Sequence, residues 1–178
     1  MNSRESFSMF VRYFALILVG VFGMGVIYAI FTPLTIYPVF WILNLFYSID
    51  LENNTLFVNN FSINLIQACI SGAAYYLLLI LNLSTPMESK KRIKSLAFII
   101  VSFLILNIVR IIIFTVLFIA GFSYFDLAHK LVWYFGSTIL VVAIWFVNVN
   151  LLKIKSIPAY TDLKNLFNKI DNKGKRKR

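Results

Sequence analysis

One cysteine, Cys69, and one histidine, His129, are all that the chain carries of the two residue types most used to bind metals and cross-link folds. A lone cysteine excludes any disulfide framework within the chain. With a single His and only seven Asp and Glu among 178 residues, neither a catalytic metal site nor a cofactor is expected. There is no CxxC, no HExxH, no Gly-rich phosphate loop and no internal repeat. Charge is scarce too: 13% of residues are charged, against 60% hydrophobic and 17% aromatic. A soluble domain of this size needs far more polar surface, so the composition indicates an integral membrane protein.

What is present is a set of long apolar runs, at 13–32, 65–83, 95–121 and 127–152. Each is close to or beyond the roughly 20 residues that carry a helix across a hydrocarbon core. The first lacks a small-x-small cleavage site and runs into Phe31-Thr32-Pro33-Leu34, so it reads as a retained anchor rather than a signal peptide. The segment 34–49 is apolar and aromatic but short, and Pro38 interrupts it. A re-entrant or interfacial helix is expected there rather than a fifth span. The fold expected is an all-α membrane domain over 1–156 with about four transmembrane helices, followed by a basic tail over 157–178.

The net charge of +10 could suggest nucleic acid, but its placement suggests membrane topology. Lys90, Lys91, Arg92 and Lys94 lie between the second and third runs, and nine Lys and Arg follow position 152. The positive-inside rule puts both segments, and with them both termini, in the cytoplasm. The tail then serves as a topology determinant resting on anionic lipid headgroups, and no nucleic-acid partner is expected. The loop 50–64 falls outside, with only Asp50 and Glu52 as charges. It reads either as a hairpin turning at Asn59-Asn60 or as a plain polar linker.

Three residues could carry chemistry: Cys69, Arg110 and His129. A lone membrane Cys is commonly a small packing residue, and a His at a helix entrance is commonly an interfacial polar group. Arg110 is harder to set aside. It sits in Ile108-Val109-Arg110-Ile111-Ile112-Ile113, where an arginine costs at least about 2.5 to 3.5 kcal/mol to insert and so needs a partner or a task. Asn107, three residues earlier on the same helix face, can orient it. The topology brings all three to the outer leaflet, with Cys69 on the order of 6 Å below the surface. Helical side chains lean toward the N-terminus, which is inward for Arg110, so a kink or a water-filled cleft is required for the three to meet.

Such a set supports acyl transfer through a thioester. A thiol surrounded by hydrocarbon is inert, so a nucleophilic Cys69 needs a nearby cation or base. His129 can take the thiol proton and return it to the leaving amine, while Arg110 stabilises the oxyanion.

On these residues the chain resembles the archaeosortase/exosortase family, its archaeal branch in particular. The likeness lies in Ala68-Cys69-Ile70-Ser71-Gly72, Asn107-Ile108-Val109-Arg110 and Asp126-Leu127-Ala128-His129-Lys130-Leu131-Val132-Trp133-Tyr134, in order on successive spans, and in the stretch Ala73-Ala74-Tyr75-Tyr76-Leu77-Leu78-Leu79-Ile80-Leu81-Asn82-Leu83. It covers about 60–150. Better-known members carry Ser or Thr and then Gly directly after the cysteine, whereas Ile70 and Ser71 stand before Gly72 here. The resemblance implies an enzyme that recognises a C-terminal sorting signal (a short motif, a hydrophobic helix and a basic cluster) on exported proteins. It implies cleavage near the motif and transfer of the new carboxyl end to a lipid or glycan. Cys69, Arg110 and His129 would be catalytic, with Asn107, Ser71 and Gly72 in support. Ser71, Gly72, Ala73 and Ala74 would also permit close helix approach, to the substrate helix or within the bundle. The competing reading is a non-catalytic membrane subunit or small transporter, in which Arg110 and Asn107 bind an anionic ligand and Cys69 only packs.

Overall fold

A computed structural model describes residues 3–58 and 61–154. The basic tail 157–178 and the Asn59-Asn60 turn lie outside them. The chain runs α1 (Ser3–Asn44), a sheet of β1 (Ile49–Glu52), β2 (Thr55–Val58) and β3 (Phe61–Asn64), then α2 (Gln67–Ile70), α3 (Gly72–Ser84) and α4 (Ser89–Ile119). It ends with α5 (Phe125–Leu131), a π-helical turn (Val132–Gly136) and α6 (Ser137–Leu151). Four helical segments, Gly23–Asn44, Gln67–Ser84, Ser89–Ile119 and Phe125–Leu151, are long and apolar enough to cross a membrane. Large apolar side chains such as Trp41, Ile105, Ile113, Trp133, Ile139 and Phe146 remain exposed around the bundle. An apolar belt of that kind suits lipid rather than water.

The segment 34–49 departs from expectation. It holds no separate re-entrant helix: α1 continues unbroken through Pro33 and Pro38 to Asn44, and the chain then turns into β1. Each proline removes one helical hydrogen bond. The face carrying Ile36, Val39 and Leu43 is at most 3% exposed, so packing holds the helix together across both positions.

The loop after α1 is more ordered than a linker. Its strands form an antiparallel meander in the order β1-β2-β3, with Glu52 opposite Thr55 and Val58 opposite Phe61. The expected hairpin across 59–60 is present, preceded by a second one. That first reversal uses Asn53 at φ 53°, a left-handed conformation that Asn tolerates. Ile49, Leu56 and Val58 are buried from the sheet into one core cluster, which includes Val39, Leu43, Ile108 and Ile111. The sheet thus caps one end of the bundle.

A second core lies farther along the bundle, where Tyr75 stacks on Phe31 (3.8 Å between ring centres) and meets Phe103 edge-on (4.7 Å). At the end away from the sheet, the Asn82 and Asn148 amides both donate to Ser95 Oγ (2.6 and 2.9 Å), joining α3, α6 and α4. Arg92 there donates to the carbonyls of Asn82 (2.9 Å) and Thr85 (3.0 Å), closing the C-terminus of α3 with a cation. At the sheet end, α4 stops in a Schellman motif. Gly121 (φ 65°) donates to Phe118 O and Phe122 to Leu117 O, both at 3.1 Å.

Candidate active site

The second apolar run is not one helix. Ser71 adopts the left-handed conformation (φ 59°, ψ 42°) and separates α2 from α3. In an unbroken helix Ala74 N–H would bond Ile70 O. Here it bonds Ser71 O (2.9 Å), as Tyr75 N–H also does (3.4 Å). The carbonyls of Cys69 and Ile70 are therefore released from the helix and need other donors.

Helix α4 supplies them. Asn107, fully buried, donates from Nδ2 to Cys69 O (3.0 Å) and Ile70 O (3.4 Å). Arg110, one turn on, donates from Nη2 to Ser71 Oγ (2.9 Å) and Cys69 O (3.3 Å), and from Nη1 to Ser137 Oγ (2.8 Å). Ser71 Oγ in turn donates to Ala68 O (3.2 Å). The expectation is a kink in the helix of Arg110 or a water-filled cleft; the structure instead breaks the helix of Cys69, at Ser71. That break brings the backbone of Cys69 to the guanidinium.

Gly72 opens α3 where α1 crosses it. A Cβ there would stand 2.7 Å from Tyr28 Cζ, so any larger residue requires the Tyr28 ring to shift. Of the two uses that the small residues Ser71 to Ala74 could have, Gly72 serves packing within the bundle.

A cavity of about 310 Å³ opens beside the break, between β3, α2, α4 and α5. Cys69, Arg110 and His129 all line it, together with Phe114, Phe118, Phe125, Trp133 and the β3 residues Ser62, Ile63 and Asn64. Cys69 is half-buried, with a free thiol. The His129 ring stacks on Phe125 (5.5 Å, 7° between planes) and meets Phe114 edge-on (5.4 Å). Those contacts fix the ring plane. Among the described residues the lining holds Arg110, Lys130 and His129 but no Asp or Glu, so the cavity favours negative charge.

The π-helical turn sets the register of the last helix. His129 and Ser137 are eight residues apart, which in an α-helix leaves them about 80° apart in rotation. A π-turn adds one residue without adding its rotation, so eight positions turn like seven and the two fall within about 20° of one face. His129 thereby lines the cavity while Ser137 reaches Arg110.

The structure brings Cys69, Arg110 and His129 to one space. Asn107 and Ser71 do not line it but hydrogen-bond to the break and to Arg110 behind it, and Gly72 packs against Tyr28. Sequence reasoning missed Ser137, although a hydroxyl inside an apolar run eight positions after His129 is a visible signal. It also missed the aromatic pair around His129. No family model, curated protein or solved structure matches the chain.

Proposed function

We propose that the chain is a membrane-embedded cysteine transpeptidase or protease acting on a C-terminal hydrophobic sorting signal of exported proteins. The observation that carries this reading is the shared cavity: one thiol, one imidazole and one guanidinium with no carboxylate partner among the described residues line the same space. The family resemblance at Cys69, Arg110 and His129 supports the same assignment.

The chemistry follows from these groups. His129 takes the proton of Cys69, and the thiolate attacks the carbonyl carbon of the scissile amide. Negative charge develops on the carbonyl oxygen, where Arg110 stabilises it in a poorly hydrated site. The C–N bond breaks, and His129 protonates the departing amine. A thioester to Cys69 remains, and a nucleophile on a lipid or glycan, or water, attacks it and restores the thiol.

The topology we infer places both termini in the cytoplasm and the cavity on the outer side. Arg92 and its neighbours Lys90, Lys91 and Lys94 stand at the end of the bundle opposite the sheet, while Asp50 and Glu52 lie on the sheet. That asymmetry follows the positive-inside rule.

A second reading has one observation behind it. Arg110, whose charge meets no carboxylate among the described residues, suits an anionic ligand, as in a small transporter or a binding subunit. The thiol separates the two. Processing of a co-expressed protein bearing a C-terminal sorting signal should stop in Cys69→Ala and Cys69→Ser at matched enzyme levels, and fall at least about a hundredfold in His129→Ala. Wild-type processing by Cys69→Ala would reduce Cys69 to packing and leave the anion-binding reading in first place.

A further inference from the structure

The sheet has two edges, β1 and β3, and on β1 the fold engages one outward amide. That amide, of Ile49, donates to Asn44 Oδ1 at the end of α1 (3.2 Å). On β3 the alternation is fixed by Leu65, whose N–H donates to Asn54 O (2.9 Å) on the β2 side. In an antiparallel ladder bonded residues alternate, so Phe61 and Ile63 share the phase of Leu65 and turn their amides to β2. The main-chain groups of Ser62 and the N–H of Asn64 therefore point away from the sheet. Both residues are exposed, and both line the cavity that contains Cys69.

A row of unspent donors and acceptors along an exposed edge is a template for another strand. We propose that an extended polypeptide adds to the outer edge of β3 as a fourth strand and is thereby led to Cys69. The occupant is main chain rather than a small molecule, because what the edge offers is the alternating N–H and C=O pattern of a strand. Resting on the functional reading above, it is the extended segment just outside the membrane helix of a protein substrate. Pairing would turn its alternate side chains to the face of Ile63, the side on which Leu56 and Val58 are buried, and the others to the more polar face of Thr55, Ser62 and Asn64, which also carries Phe57. Selection of apolar residues at every second position follows.

The probe is a synthetic peptide with a Thr/Val tract joined to a Leu/Ala helix of roughly 20 residues and a terminal lysine cluster. It is added to the full chain carrying Cys69→Ala in lipid nanodiscs, and amide hydrogen exchange is followed. The peptide should slow exchange at Ser62 and Asn64 at least about tenfold. Ser62→Pro removes an outward amide without touching the ladder to β2, and should weaken peptide binding about tenfold, the effect of one hydrogen bond. Ser62→Ala should bind like its parent. Should Ser62→Pro disturb the sheet, visible as faster exchange at Leu56 without peptide, the decision passes to the peptide. N-methylation of alternate Thr/Val residues must abolish protection in one phase and spare it in the other. Exchange unchanged by the peptide, or equal loss in both phases, overturns the proposal. Cleavage by the wild-type chain is scored separately. Protection without cleavage keeps strand addition and rejects the thiol chemistry, and cleavage without protection does the reverse.

Discussion

If the π-turn acts as a one-residue insertion, removing one residue from it should be nearly harmless, while the same deletion a turn or two later should not. Deleting Phe135, which is 61% exposed, lets Val132–Gly136 close as an ordinary helix. His129 and Ser137 are then seven residues apart and keep one face, about 20° short of two full turns. Helix α6 stays in place, and so does the bond from Arg110 to Ser137. Stability should change by less than about 1 kcal/mol, since a turn of poor geometry is exchanged for a regular one. Deleting Val142, also exposed, is the contrasting case. It rotates everything beyond it by about 100° against the bundle. Ile144 leaves its core, and the fully buried Asn148 loses Ser95 Oγ. One interhelical hydrogen bond and a packed side chain amount to about 2 to 4 kcal/mol. Thermal unfolding of the two variants in one detergent, with processing assayed alongside, measures the difference. Equal destabilisation by both deletions, or lost processing with intact stability on deletion of Phe135, would refute the register argument.

The break at Ser71 yields a second prediction. Ser71→Gly relieves the left-handed backbone by about 1 kcal/mol but deletes the hydroxyl that meets Arg110, whereas Ser71→Ala deletes the hydroxyl and keeps the strain. Gly should therefore unfold at a higher temperature than Ala, while both lose processing to a similar degree; the opposite order of stability would show that the conformation at 71 carries no strain. At the α1–α3 crossing, Gly72→Ala should cost about 1 to 3 kcal/mol by overlap with Tyr28, and Tyr28→Ala in the same chain should recover most of it. Additive losses in that double-mutant cycle would mean that the two residues do not press on each other.

How much of this was legible in the sequence depends on the scale of the signal. Four membrane-length apolar segments are legible because hydrocarbon thickness sets a minimum run, and composition reports it directly. The meeting of Cys69, Arg110 and His129 was legible because a costly arginine demands polar company, and chain order limits where it can find any. The continuity of α1 was not legible. Pro33 and Pro38 argue for a stop by local rules, and only the packing of Val39 and Leu43 overrides them. The break at Ser71 was equally hidden, because serine carries no left-handed signature and the adjacent Gly72 is the residue that would have been suspected. The π-turn has no sequence mark beyond a spacing of eight, which acquires meaning only once both ends are known to face the same partner.

The position of Arg110 bears on whether its charge is structural. A helix broken within an apolar run needs donors for its freed carbonyls, and one side chain already serves both: Asn107 reaches Cys69 O at 3.0 Å and Ile70 O at 3.4 Å. Arg110 adds only a longer contact of 3.3 Å to Cys69 O, and its closer partners are the neutral hydroxyls of Ser71 and Ser137. A neutral amide could satisfy those hydroxyls with far less desolvation than a guanidinium demands. The fold alone thus explains a donor at position 110 but not a full positive charge. With no carboxylate among the described residues of the cavity wall, the field of that charge is left for whatever enters, either a bound anion or an oxygen that becomes anionic as its carbonyl is attacked. Those are the two functional readings, and a half-buried thiol on the same wall is what favours the oxyanion, and with it the transpeptidase.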